Sequence, residues 1–207
     1  MTAGRIRIDD RISYWKSTKD PLSADIGVVE GDAFTWIFDV GSSDEAAWSV
    51  QSIPMQKNIV LSHFHKDHIG NLGRIDCQKI YQGTHTFRYT HKGEVVRGNQ
   101  CIRDGVILHL FECPSSHAKG TIGLEIDGKY AFLGDALYCT MKEGKSAYNA
   151  NLLAEEIRVL RDLHAEYFLI SHDENFVQRK EEVLARLESI YKQRNTKSAY
   201  IFLEEPK

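Results

Sequence analysis

Asn58-Ile59-Val60-Leu61-Ser62-His63-Phe64-His65-Lys66-Asp67-His68 is the stretch whose reading decides the fold. Its first five residues form a short apolar run of the kind that makes a strand buried on both faces. The next six carry three imidazoles and a carboxylate. In an extended chain, residues i and i+2 point the same way, so His63 and His65 can aim at one point. A helix starting near Lys66 places Asp67 and His68 in its first turn, facing a neighbouring point. Nitrogen and oxygen donors in this pattern suit zinc, iron or manganese. A solvated polar loop would have to explain three of the chain's nine histidines within six residues.

Working outward, other apolar runs end in the same way. Val106–Phe111 leads to Cys113-Pro114-Ser115-Ser116-His117. Phe132-Leu133-Gly134 leads to Asp135, and Tyr167–Ile170 leads through Ser171 to His172. Rigid strands place ligands best, and four strands delivering polar residues to one edge describe a metal centre. His85, His91, His109 and His164 lack this context and are read as ordinary surface or strand residues.

The remaining patterning supplies the scaffold. Strands are expected over 5–17, 26–30 and 34–39, a short helix over 44–52, and further short strands over 78–112. A hairpin is expected over 121–126 and 129–134, turning at Asp127-Gly128. Leu153, Ile157 and Leu160 repeat at helical spacing behind an expected Asn151 cap, with Glu155 and Glu156 in the first turn. Val183, Leu184, Leu187, Ile190 and Tyr191 form the stripe of a last helix. Strand-rich halves punctuated by helices imply sheets packed face to face with helices outside.

Composition narrows the function. The chain has 207 residues, which suits a single domain over 1–207, and no internal repeat. A net charge of −3 with interspersed signs gives no nucleic-acid footprint. The basic residues Arg88, His91, Lys92 and Arg97 within 82–98 read as a solvated loop rather than an anion site. No apolar run reaches the ~20 residues of a membrane span, and the N-terminal residues lack a secretory h-region. A cytoplasmic protein acting on a small molecule, with no nucleic acid and no membrane, is expected. The four cysteines, Cys77, Cys101, Cys113 and Cys139, form no CxxC pair. They are expected to be reduced and buried as small hydrophobes.

With these motifs in view, the chain resembles the metallo-β-lactamase-fold superfamily. Asp39 in Ile37-Phe38-Asp39-Val40-Gly41 is similar to that superfamily's strand-ending acid. His63, His65, Asp67 and His68 match its HxHxDH motif without departure. His117, Asp135 and His172 follow in the superfamily's order. The resemblance implies an α+β fold, a four-layer αββα sandwich with the site at one edge. It also implies two divalent metal ions, zinc first, with iron or manganese as alternatives. His63, His65 and His117 would hold one ion. Asp67, His68 and His172 would hold the other, with Asp135 bridging. Asp39 would stand behind the ligands and orient them. Asp67 would also orient the nucleophile, and Tyr138 and Lys66 are candidates for touching substrate. The segment around His172, Ser171-His172-Asp173-Glu174-Asn175, departs from the superfamily in lacking glycines.

The implied activity is a metallo-hydrolase of the glyoxalase II or lactonase kind, cleaving an ester, lactone or thioester. The alternatives are a mononuclear iron oxidoreductase of the persulfide dioxygenase type and a phosphodiester hydrolase. Flavodiiron proteins carry a carboxylate where His65 stands, so that type is not expected.

Overall fold

The structure, a computed structural model, describes residues 4–195 and 197–204. Two sheets carry the fold, and each follows chain order strictly. The first contains β1 (Ile6–Arg7), β2 (Ile12–Trp15), β3 (Ile26–Glu30), β4 (Thr35–Phe38), β5 (Lys57–Leu61), β6 (Lys79–Gln82) and β7 (Glu94–Val95). The pairs from β1 to β4 are antiparallel, and those from β4 to β7 are parallel. The second contains β8 (Gln100–Arg103), β9 (Ile107–Glu112), β10 (Ile122–Ile126), β11 (Tyr130–Gly134), β12 (Tyr167–Ile170) and β13 (Val177–Arg179). Here only β11 and β12 run parallel.

Parallel neighbours need crossovers, and helices supply them. These are α1 (Asp44–Gln51), α2 (Lys66–Ile69), α3 (Thr84–Thr90) and α4 (Ala150–Asp162), and α5 (Lys180–Lys192) follows β13. Two small antiparallel ribbons complete the structure. One pairs Thr18–Lys19 with Leu22–Ser23, and the other joins Thr140–Lys142, Lys145–Asn149 and Tyr200–Phe202.

The period-2 alternation of strands sorts the apolar side chains into layers. Trp36, Phe38, Val60 and Tyr81 face Leu108, Leu110, Leu124, Phe132 and Leu169 between the sheets. On the outer face of the first sheet, Ile37, Ile59, Leu61 and Ile80 pack with Ala46 and Val50 of α1. On the outer face of the second, Ala131, Leu133, Phe168 and Ile170 pack with Leu153, Ile157, Leu160, Val183 and Leu187 of α4 and α5. Three apolar layers separate four layers of structure, which is the expected αββα sandwich. Both faces of each sheet are covered, so the central strands read as unbroken apolar runs. The sheets approach closely at Gly27, where any Cβ would overlap the Phe132 ring.

Several local expectations are corrected. Residues 5–17 split into β1 and β2 around a turn at Ile8–Arg11, where Asp9 and Asp10 break the run. Residues 84–90 form α3 instead of a strand. Their threonine and aromatic content favours β structure, but β6 and β7 are parallel, so the link between them has to cross over. Asn149, not Asn151, caps α4; it has extended backbone angles and accepts the N–H groups of Asn151 and Leu152. Glu155 and Glu156 therefore lie beyond the first turn, and Glu156 faces the core. Of the cysteines only Cys113 is buried. Cys101 is exposed on the edge strand β8, where alternate residues face solvent, and Cys77 and Cys139 are half-buried.

Candidate metal centre

The site lies where β4, β5, β9, β11 and β12 end. β5 delivers Ser62 and His63, and α2 begins directly after His65. His65 Nδ1 stands 2.9 Å from His63 Nε2 and 3.0 Å from His117 Nε2. Nitrogens bonded to one tetrahedral ion at about 2.0–2.1 Å stand about 3.3 Å apart, so this convergence suits a single cation.

The far side of two of these rings is occupied. Ser62 donates its hydroxyl to Asp39 Oδ2 at 2.7 Å and its N–H to Asp39 Oδ1 at 2.7 Å. Its oxygen is then left to accept from His63 Nδ1 at 3.0 Å. His117 Nδ1 faces the Cys139 carbonyl at 3.4 Å. Each Nε2 is thereby turned toward His65 Nδ1, with its outer nitrogen already engaged. Burial first, then the neighbouring imidazoles, holds His63 far below the ordinary histidine range. The same causes lower His65.

A second group adjoins the first. Asp67 Oδ2 accepts from His172 Nε2 at 3.0 Å, and His68 Nε2 lies 3.4 Å from Asp67 Oδ2 and 3.3 Å from Asp135 Oδ2. The same Asp135 oxygen is 3.4 Å from His117 Nε2, so this carboxylate touches both groups. Asp39, fully buried with a left-handed φ of 61°, bonds His68 Nδ1 at 2.7 Å and turns its Nε2 inward. Burial opposes charge on His68, but Asp39 and Asp135 outweigh it and push its pKa up to about 10. Burial likewise opposes charge on His172, and Asp67 and Asp135 raise it. Asp67 is lowered: burial acts to raise it, and the hydrogen bond from His172 and the charge of His68 prevail.

The donors fit metal ions. His63, His65 and His117 form one convergent set; Asp67, His68, Asp135 and His172 form another. His68 Nε2 and Asp135 Oδ1 are buried without any hydrogen-bond partner, a costly state that a cation would relieve.

All seven donors expected from the sequence are thus brought together, with Asp39 behind them. Lys66 is exposed at the start of α2, and its ammonium has no partner among the described residues. Tyr138 faces His117 at 6.1 Å between ring centroids, but its hydroxyl donates to the Ser171 carbonyl at 2.8 Å. The proton expected to meet substrate is committed there. The spare histidines stay outside both groups. His85 packs on Phe64, His109 pairs with Glu125, His91 ends α3, and His164 is exposed.

Residues that sequence reading missed are Ser62, Asp25, Ser171, and the Tyr89 ring, which stacks on Phe64 at 4.6 Å. The serine following a buried strand and directly preceding the first ligand was the one available signal. Gly134 admits Ser62 to the site. With φ at +55°, its position is one where a Cβ would fall 2.6 Å from that of Ser62.

No family model matches the sequence, and no curated protein is significantly similar to it. Solved structures do match in shape. A flavoprotein from Thermotoga maritima aligns over 92% of this chain at 15% identity, TM-score 0.67. The metallo-β-lactamase SMB-1, bound to 2-mercaptoethanesulfonate, aligns over 91% at 12% identity, TM-score 0.68. The inverting sec-alkylsulfatase Pisa1 from Pseudomonas sp. aligns over 92% at 15% identity, TM-score 0.71. This chain spans 96% of SMB-1, 64% of the flavoprotein and 42% of the alkylsulfatase. The chain has the metallo-β-lactamase fold, and a fold hosts many chemistries.

Proposed function

We propose that this chain is a metal-dependent hydrolase that cleaves an ester, lactone or thioester of a small molecule. The observation that carries the reading is the pair of donor sets sharing Asp135, with His68 Nε2 and Asp135 Oδ1 buried and unpartnered. Divalent ions, zinc foremost, would lower the pKa of water to about 7 and polarise the substrate's carbonyl oxygen.

The chain's own groups divide the remaining work. Ser62 holds His63 in the tautomer that keeps its inner nitrogen free, and Asp39 fixes the His68 ring through Nδ1 so that Nε2 faces the site. His172 and His68 keep Asp67 ionised, and its carboxylate is the partly exposed acid of the centre, 16% accessible. An ionised acid at this place accepts the nucleophile's hydrogen and aims its lone pair at the carbonyl. The Phe64–Tyr89 stack forms an apolar wall against the His65 ring, which supports an organic rather than a highly charged substrate.

Metal analysis of the purified protein, followed by lactone, thioester, phosphodiester and β-lactam substrates with and without chelator, tests this reading. Two zinc or manganese ions per chain and chelator-sensitive turnover of a carboxylic substrate are expected. One iron per chain with persulfide-dependent oxygen uptake would replace the reading by a dioxygenase. Cleavage confined to phosphodiesters would replace the substrate class.

A further inference from the structure

The second donor set is assembled from distant parts of the chain. Asp67 stands 105 positions from its partner His172. Neither is fixed by a rigid element alone. Asp67 lies in a four-residue helix, and His172 follows β12 in a left-handed conformation, φ 61°. That conformation costs a non-glycine residue about 1–2 kcal/mol and persists only where the surroundings impose it.

One short segment touches both. The N–H of Ala24 donates to the Asp67 carbonyl at 3.0 Å. Next to it, Asp25 is 4% exposed and meets the turn at His172 through three bonds. Its Oδ2 accepts the His172 N–H at 2.8 Å and the Ser171 hydroxyl at 3.2 Å, while its own N–H donates to Ser171 Oγ at 3.1 Å. Its Oδ1 is held by the Ser17 N–H at 3.0 Å. On the other side of the turn, Tyr138 holds the Ser171 carbonyl. No comparable strap from this segment reaches His63, His65 or His117.

We infer that Asp25 is a positioning residue for the second metal ion. Together with Ala24 it sets the span between Asp67 and His172, and so the affinity of the Asp67–His68–Asp135–His172 set, leaving the three-histidine set unaffected. The inference rests on the two-ion reading above. Outer partners of ligands change metal affinity about 10–100-fold.

The experiment titrates metal-free full-length protein with Co(II), followed by its visible absorption and by calorimetry, in wild type, Asp25→Ala, Asp25→Asn and Ser171→Ala. Asp104→Asn serves as a control. Asp104 is another buried acid, and it holds the Ala33 and Phe34 N–H groups and the Trp36 indole at the opposite edge of the sheets. Two binding steps are expected for wild type. Asp25→Ala should weaken the second step by 10–100-fold with the first unchanged. Asp25→Asn, which keeps an acceptor for His172, should recover part of the loss. Ser171→Ala should show a smaller selective loss and stands in if Asp25→Ala does not fold. Asp104→Asn should lower Tm with both steps intact. Equal weakening of both steps in Asp25→Ala or Ser171→Ala, or two unchanged steps, overturns the inference and leaves the two-ion reading standing. A wild type with only one step overturns that reading, and the inference with it.

Discussion

The two donor sets differ in charge and in how they are held. The three-histidine set holds no carboxylate, and burial keeps protons off His63 and His65. The neighbouring set carries two carboxylates; Asp39, behind it, and Asp135 pull a proton onto His68, while Asp67 and Asp135 pull one onto His172. One set waits with bare lone pairs; the other already gathers positive charge around its acids. The same difference appears in their supports. His63 and His65 come from one strand end, whereas Asp67 and His172 are drawn together by a strap. In the imidazole set one outward hydrogen bond holds each of the His63 and His117 rings, while the carboxylate set is tied by a longer network through Asp39, Asp25 and Ser171.

Asp135 joins the two sets, so its loss is the harshest test of treating them as distinct. Asp135→Ala should reduce turnover about a thousandfold, the upper end for losing one electrostatic contact at the reacting atoms. It should also disturb both binding steps in a metal titration. An active variant with both ions retained would break the assignment. Asp39→Asn probes the asymmetry. Asp39 reaches His68 directly and His63 only through Ser62, so the second ion should weaken about 10–100-fold and the first by less. Equal losses would mean that the two sets share one support.

Glu156 lies outside both sets and marks the boundary of the comparison. Its carboxyl is fully buried with no hydrogen-bond partner, and burial raises its pKa well above the ordinary value. The folded state therefore holds this proton more tightly than the unfolded one. Its contribution to stability is present below the unfolded pKa of about 4.5 and is lost as pH rises toward the folded pKa. Glu156→Leu should stabilise by about 1–3 kcal/mol at pH 8 and by less at pH 4. Thermal melts at the two pH values measure this, and metal content should not change. The smallest effect is expected from Tyr138→Phe, which removes one hydrogen bond to the His172 turn. About 1 kcal/mol, or 2–4 °C in Tm, should be lost, with turnover nearly intact. A large fall in turnover would instead place that hydroxyl in contact with substrate.

The ligands were legible because each ends an apolar run, and strand ends are readable from one sequence. The layers were legible for the same reason: strands such as Asn58–Leu61 and Tyr167–Ile170 are apolar on both faces. What supports the ligands was not legible. Asp25 precedes an apolar run and carries no spacing signature, and its partners lie 146 and 147 positions away. Ser62 is one of many serines until Asp39 is seen beside it. Helix α3 was hidden because Thr84, Thr86, Phe87, Tyr89 and Thr90 have strand propensity, overruled by the crossover. The missing glycines around His172 read only as a departure from the superfamily, and the structure shows an ordinary residue held in the left-handed region there.

The strict chain order of the two sheets has a consequence for how the molecule comes together. Residues 6–95 build one sheet and 100–179 the other, joined by four residues, so each sheet arises from contiguous chain. Both donor sets, by contrast, draw ligands from the two halves: His117 joins His63 and His65, and Asp135 and His172 join Asp67 and His68. Neither half alone holds a complete donor set. On the two-ion reading, ions bound there would act as rivets across the seam between the two sheets.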